Sequence, residues 1–185
     1  MKLRLAVIIG HTKRAQGANS KILGSEYVYN TDLAHRIQKY AEGEGVQVSI
    51  FTRDKGGISG AFKAALATKP HAIMELHYNA FNGKASGSEV LFSDNFDKAG
   101  VKELALAHLV SRAMASALGI TNRGVKEIAK RGERGFHNLA QTTHVPGILL
   151  ESGFGDNPND AGRMKARKWQ LAKSIVDAFL KWKLG

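Results

Sequence analysis

The 185-residue chain has no cysteine. Disulfides, thiolate-held metals and a cysteine nucleophile are thereby excluded, so any metal must be held by His, Asp and Glu. No apolar stretch approaches the roughly 18 residues that a membrane-spanning helix needs, so stable membrane insertion is not expected. Low-complexity tracts and internal repeats are absent as well. The opening "MKLRLAVIIGH" has the look of a signal peptide, but its apolar run is short and no small-residue cleavage site follows. A first core strand is the better reading, with synthesis in the cytoplasm and no export signal as the expectation. Acids are also scarce: 16 Asp and Glu stand against 27 Lys and Arg, a formal charge of +11. Such a surplus draws a protein to nucleic acid, anionic membrane or an acidic cell wall, or serves solubility alone. No arginine-rich arm, helix-turn-helix pattern or basic–aromatic interleaving accompanies it, which argues against nucleic acid.

What is present is an ordinary globular composition, 43% apolar and 23% charged, at a length suited to one domain over residues 1–185. Apolar runs at 3–10, 46–51, 72–77, 88–93 and 147–151 predict strands, with a further short one around 125–128. Helical spacing predicts helices over 26–41, 58–68, 98–118 and 169–183, the last preceded by the capping candidates Asn157, Asn159 and Asp160. Residues 11–25 and 119–146 read as polar or irregular connections. Strands alternating with helices indicate an α/β domain with a largely parallel, twisted sheet.

In such sheets the chemistry gathers at the carboxyl ends of the strands. His11 follows the first strand, His77 ends the third, and Glu151 ends the late apolar run "GILLE". Glu26 opens the first helix, and it reaches the same crevice if the 11–25 loop folds back over the sheet. Two imidazoles and a carboxylate are a typical ligand set for a catalytic zinc, with the fourth position left to water. A second carboxylate beside that water is what hydrolysis needs, and Glu151 suits the part. Each residue alone has a plainer explanation: a strand-end His is usually hydrogen-bonded or exposed, and a first-turn Glu favours the helix dipole. There is no compact HExxH to strengthen the pattern.

Resemblance adds to this. The segments "IIGHTKRAQGA", "GSEYVYNTDLAHRI", "MELHYNA", "SGSEVLFS", "NRGVKE" and "VPGILLESGFGDNPND" occur in this order and resemble the successive motifs of the zinc-dependent N-acetylmuramoyl-L-alanine amidases of the amidase-3 family. The likeness runs from about residue 5 to the end. It implies a single α/β domain with helices on both sheet faces, and one zinc ion on His11, Glu26 and His77. It also implies Glu151 as the catalytic residue and peptidoglycan as the substrate. The first motif departs from the D-P-G-H-G-G form of many members, and Glu75 stands where many have Ser. In a strand Glu75 and His77 share a face, so Glu75 is expected to orient a ligand imidazole, the alternative being a charge-balancing neighbour of basic loop residues. Asn79, two residues on, is a candidate for ordering the site. His137, in the irregular segment, is a candidate donor to the developing oxyanion. His35, His71 and His108 read as surface or packing residues.

One catalytic domain fills the chain, with no separate wall-binding domain expected. With no export signal expected, the favoured role is a phage or prophage endolysin, held in the cytoplasm until a membrane pore releases it to the wall. A bacterial autolysin of the same activity, a zinc peptidase acting on stem peptides and a non-catalytic basic binding module are the alternatives.

Overall fold

Leu5, Val7 and Ile9 pack into one buried cluster, while Ala6 and Ile8 pack into another. Burial on both sides of β1 (Leu3–Ile9) is what an interior strand of a sheet covered on two faces requires. The computed structural model describes residues 2–93, 100–142 and 144–185. After β1 come a two-residue pair, β2 (Asn19–Ser20) and β3 (Gly24–Ser25), then α1 (Glu26–Gly43), β4 (Val46–Thr52), α2 (Gly57–Ala67) and β5 (Ala72–Asn79). The chain continues through β6 (Ser88–Phe92), α3 (Gly100–Leu118), β7 (Asn122–Glu127), α4 (Phe136–Leu139), β8 (Gly147–Phe154), α5 (Pro158–Ala166) and α6 (Lys168–Leu184).

The main sheet has the order β4-β1-β5-β8-β6-β7. Its first four strands are parallel, β6 runs antiparallel to β8, and β7 is parallel to β6. The result is a mostly parallel mixed sheet in a single α/β domain. The larger core joins one sheet face to α1, α3 and α6 through residues such as Leu33, Ile37, Val110, Ile175 and Phe179. On the other face α2 covers Ala6, Ile8 and Ile73, and α4 contributes Leu139 to a small cluster with Leu91 and Leu149. That second face is thinly covered, and the gap between its two short helices is where the site lies. No helix among the described residues is long and apolar enough to cross a membrane.

Most elements fall where the apolar periodicity predicts them. The predicted helix start at 98–99 lies outside the described residues. Four differences have physical reasons. The 11–25 connection carries the β2–β3 pair, too short to leave a periodic signal. The 119–146 segment holds the single-turn α4, and its expected strand begins three residues earlier, as β7. A separate α5 precedes the last helix, capped by Asn157, whose side chain accepts from the Asn159 and Asp160 amides. Finally β8 does not stop at Glu151 but runs to Phe154, and β5 extends two residues past His77. Both strands are interior, so each continues as long as its neighbour supplies hydrogen bonds.

Candidate functional site

Alternation along the interior strands fixes which side chains meet. On β5, Met74, Leu76 and Tyr78 enter the large core. Glu75, His77 and Asn79 therefore project from the opposite, thinly covered face. On β8, Ile148 and Leu150 enter the same core, so Leu149 and Glu151 share the face of His77. Register completes the alignment: Glu151 lies directly beside His77 on one side and directly beside Glu89 of β6 on the other. The residues expected at strand ends instead stand side by side on a sheet face, in its carboxyl half.

Two elements bring in the rest. Ser25 caps α1 by accepting from the Val28 amide, which places Glu26 in the first turn. The Glu26 side chain is held from three directions. Its Oε2 accepts from the Ala18 amide at 3.1 Å, its Oε1 accepts from the Tyr78 amide at 3.2 Å, and the carboxylate bridges the two histidines. His77 Nδ1 lies 2.7 Å from Oε1 and His11 Nε2 lies 3.1 Å from Oε2. His11 itself sits at φ 68°, the left-handed region that non-glycine residues seldom adopt. This turn swings its ring across to within 5.1 Å of the His77 ring, centroid to centroid. Two glycines make room. A Cβ on Gly10 would overlap the His77 ring, and one on Gly17 would overlap Glu26 and His11.

Electrostatics divide the carboxyl groups of the site. Burial raises the pKa of Glu26, but its hydrogen bonds with His11 and His77 outweigh that and hold it at about 2. Burial would make His77 harder to protonate; Glu26 and Glu75 outweigh it and push the ring up to about 10, a cation in the metal-free site. Glu75 is lowered despite its burial, by His77, Arg53 and Asn138. Its carboxylate accepts from Arg53 Nη2 and from Asn138 Nδ2, the latter at 2.5 Å, and lies 3.7 Å from His77 Nε2. The His77 ring thus meets the Glu26 carboxylate at Nδ1, while its Nε2 has the Arg53 Nη2 at 3.3 Å and the Glu75 carboxylate just beyond. Glu151 behaves differently. Burial dominates and pushes it up to about 7, and its Oε2 has no hydrogen-bond partner among the described residues.

One nitrogen or oxygen from each of His11, Glu26 and His77 lie within 4.8 Å of one another. The donor types, two imidazoles and one carboxylate, match those of a zinc centre that keeps an open position. Glu26, unprotonated at any ordinary pH, and a second carboxylate behind His77 both suit a divalent cation. The cluster opens into a cleft of about 290 Å³ that is also lined by Arg53, Asn79, Arg134, Asn138 and Glu151.

The structure brings together His11, Glu26, Glu75, His77, Asn79 and Glu151. Asn79 is buried and links two charged groups: its Oδ1 accepts from Arg134 Nη1, and its Nδ2 donates to Glu89 at 3.1 Å. His137 is placed elsewhere. It lies on the exposed side of α4, its ring edge-on to Phe136, and it does not line the cleft. A helical turn sends neighbouring residues in different directions, so Asn138 takes the inward position. Sequence reasoning missed Arg53, Glu89, Arg134 and Asn138. They come from loops, a short helix and a cross-strand neighbour, and only the register of β6 against β8 reveals Glu89 as a partner of the site.

Comparison with known proteins agrees with this fold. The probable cell wall amidase LytH of Staphylococcus saprophyticus is 30% identical over 181 residues, covering 91% of this chain and 54% of that protein. The chain thus spans about half the length of the wall-amidase relatives it matches. Among solved structures, Cwp6 from Clostridium difficile superposes with a TM-score of 0.85 at 21% identity, over 98% of this chain and 29% of that one. The catalytic domain of the CD27L endolysin targeting Clostridia difficile gives 0.78 at 25% identity, over 97% of each chain. Residues 5–181 match the Amidase_3 family, and the chain belongs to these N-acetylmuramoyl-L-alanine amidases.

Proposed function

We propose that the protein hydrolyses the amide between the lactyl group of N-acetylmuramic acid and L-alanine in peptidoglycan, with one zinc ion on His11, Glu26 and His77. The observation that carries this reading is the pairing of His77 with Glu151 across adjacent strands. It sets a buried carboxylate, one oxygen without a hydrogen-bond partner among the described residues, beside a three-donor cluster. Zinc, when bound there, would polarise the scissile carbonyl and lower the pKa of a water to about 7.

The remaining chemistry belongs to the chain. Glu151 takes the proton of the attacking water at its Oε2 and later gives it to the leaving alanine nitrogen. Burial raises the pKa of this carboxyl group and a bound cation would draw it back down, which suits a group that takes and returns a proton around neutral pH. Rigid placement on an interior strand keeps that oxygen where the proton is exchanged. Glu75 keeps the His77 ring oriented, and Asn79 and Arg134 hold the far wall of the cleft.

Muropeptide mass analysis after digestion of purified wall tests the reading. Peptides with free L-alanine N-termini and intact glycan strands are expected, with loss of activity on chelation and in Glu151→Ala. Cleavage within the stem peptide instead would make the protein a zinc peptidase, and full activity under chelation would overturn the zinc assignment.

For the biological role we favour a phage or prophage endolysin. The likeness to the CD27L catalytic domain supports it, although LytH is named as a wall amidase. Co-expression with a membrane-pore protein tests it: rapid lysis only with the pore is expected, and equal lysis without the pore would count against it.

A further inference from the structure

Arg134 lies on the segment between β7 and α4, and its side chain is 56% exposed although it lines the cleft. Its guanidinium is nonetheless fixed. Nη1 donates to Asn79 Oδ1 and lies 3.6 Å from Glu151 Oε1, while Nη2 donates to Glu89 Oε1 at 2.8 Å. Glu89 already has a cation of its own, since Arg123 Nε donates to its other oxygen at 2.9 Å. Glu75 is likewise matched by Arg53. Neutralising Glu89 therefore does not require Arg134.

What the network does is orient it. Asn79 and Glu89 each hold one end of the fork, and no partner is seen for its Nε among the described residues. A half-exposed guanidinium, held rigidly in a cleft with donors to spare, is a receptor for a planar anion. The surrounding charge agrees. The arginines Arg53, Arg123 and Arg134 face the glutamates Glu26, Glu75, Glu89 and Glu151, so a bound divalent ion would leave the cleft net positive.

We propose that Arg134 binds a free carboxylate of the stem peptide, that of the residue after L-alanine, and so determines which stem peptides are cleaved. This rests on the amidase reading above. In peptidoglycan that residue is a glutamate joined through its side chain, whose α-carboxylate is either free or capped as a carboxamide. Its α-carboxylate oxygens lie up to about 7 Å from the scissile nitrogen, within reach of Arg134, whose Nη1 is 3.6 Å from the Glu151 carboxylate that serves that nitrogen. A carboxylate gains a charge-assisted, two-point contact there, and a carboxamide does not.

The test uses two soluble muropeptides that differ only in that carboxylate or carboxamide, with kcat/KM measured for the zinc-loaded enzyme. Wild type is expected to prefer the free acid by about 10–100-fold. Arg134→Gln is expected to lose more on the acid than on the amide, so that the preference collapses to within about twofold. If Arg134 served only to hold Glu151 in place, both substrates would suffer equally and the preference would survive, which overturns the assignment. Equal cleavage of both by wild type overturns it alone; cleavage of neither at this amide overturns the amidase reading with it. Metal content and thermal midpoint accompany each variant. Should Arg134→Gln fail to fold, product inhibition of wild type decides. The free-acid product peptide must inhibit more strongly than its carboxamide by a similar factor, and equal inhibition overturns the proposal.

Discussion

Glu26 and Glu151 are buried to nearly the same extent, 4% and 3% exposed, yet their carboxyl groups shift in opposite directions, to about 2 and about 7. Burial acts on both alike, against the charged form. The difference lies in what surrounds them. Glu26, at the start of α1, receives two imidazoles and two backbone amides. Glu151, inside β8, has His77 and Arg134 only as more distant charges, and the carboxylates of Glu26 and Glu89 oppose ionisation. One region is built to keep a carboxylate charged and the other to keep a carboxyl group near its midpoint. These are the demands of a metal ligand and of a proton carrier, respectively.

If that contrast is functional, the two amides Glu151→Gln and Glu26→Gln must fail in different ways. Glu151→Gln is expected to lose on the order of 10²–10⁴-fold in kcat while still binding one zinc ion. Glu26→Gln is expected to lose the ion itself, so its activity recovers in part with added zinc. Metal content by atomic spectroscopy beside kcat separates them. Loss of zinc from Glu151→Gln would break the comparison.

The metal-free protein sharpens it further, because the stability effects have opposite sign. Glu26 has a folded pKa below its ordinary 4.5, so its contribution is present above pH 4.5 and is lost as pH falls towards 2. Glu151 has a folded pKa above 4.5, so its protonated form favours the fold below pH 4.5, and that contribution is lost as pH rises through 7. At pH 8, then, Glu26→Gln is expected to destabilise the metal-free protein and Glu151→Gln to stabilise it. Each change is on the order of 3 kcal/mol, from the size of the shifts. Urea unfolding at pH 8 in chelator checks both signs.

How much of this contrast a sequence can carry is seen in the same residues. His11, Glu26, His77 and Glu151 were legible because each sits at a recognisable boundary or on a strongly apolar strand, and because sheet order brings β1, β5 and β8 together. The partners that set the pKa values were not. Glu89 belongs to "SEVLF", whose alternation marks a strand but not its neighbour, and its place beside Glu151 depends on an antiparallel register that no local pattern encodes. Arg134 and Asn138 come from a segment with little periodicity. There His137 attracted attention for its chemistry, whereas the turn of α4 turned Asn138 inward. The apolar run stops at Glu151 and so predicts a strand end there, while the backbone pairing continues to Phe154.

Glu75 offers a smaller test on the side of the metal. It is as buried as the other two but lowered, like Glu26, because Arg53 and Asn138 also hold it. Glu75→Gln is expected to weaken zinc binding by about 10–100-fold, the usual cost of losing a carboxylate behind a ligand imidazole. Competition with a fluorescent chelator measures this. An unchanged affinity would return Glu75 to the role of a counter-ion for Arg53.

The smallest effect concerns the proton carrier. Hydrolysis needs Glu151 ionised when water attacks, so kcat/KM must fall as pH drops through its pKa. In the metal-free site that value is about 7, and the positive charge of a bound ion nearby moves it lower. Arg134 acts in the same direction, since a cation 3.6 Å from Glu151 Oε1 favours the carboxylate. Replacing it by Gln is therefore expected to move the acid limb to higher pH, by up to about one unit. The carboxamide muropeptide is the substrate to use, because it isolates this effect from recognition of the free acid. An acid limb that stayed in place would mean that solvent screens Arg134 from Glu151. The guanidinium would then act on the substrate alone.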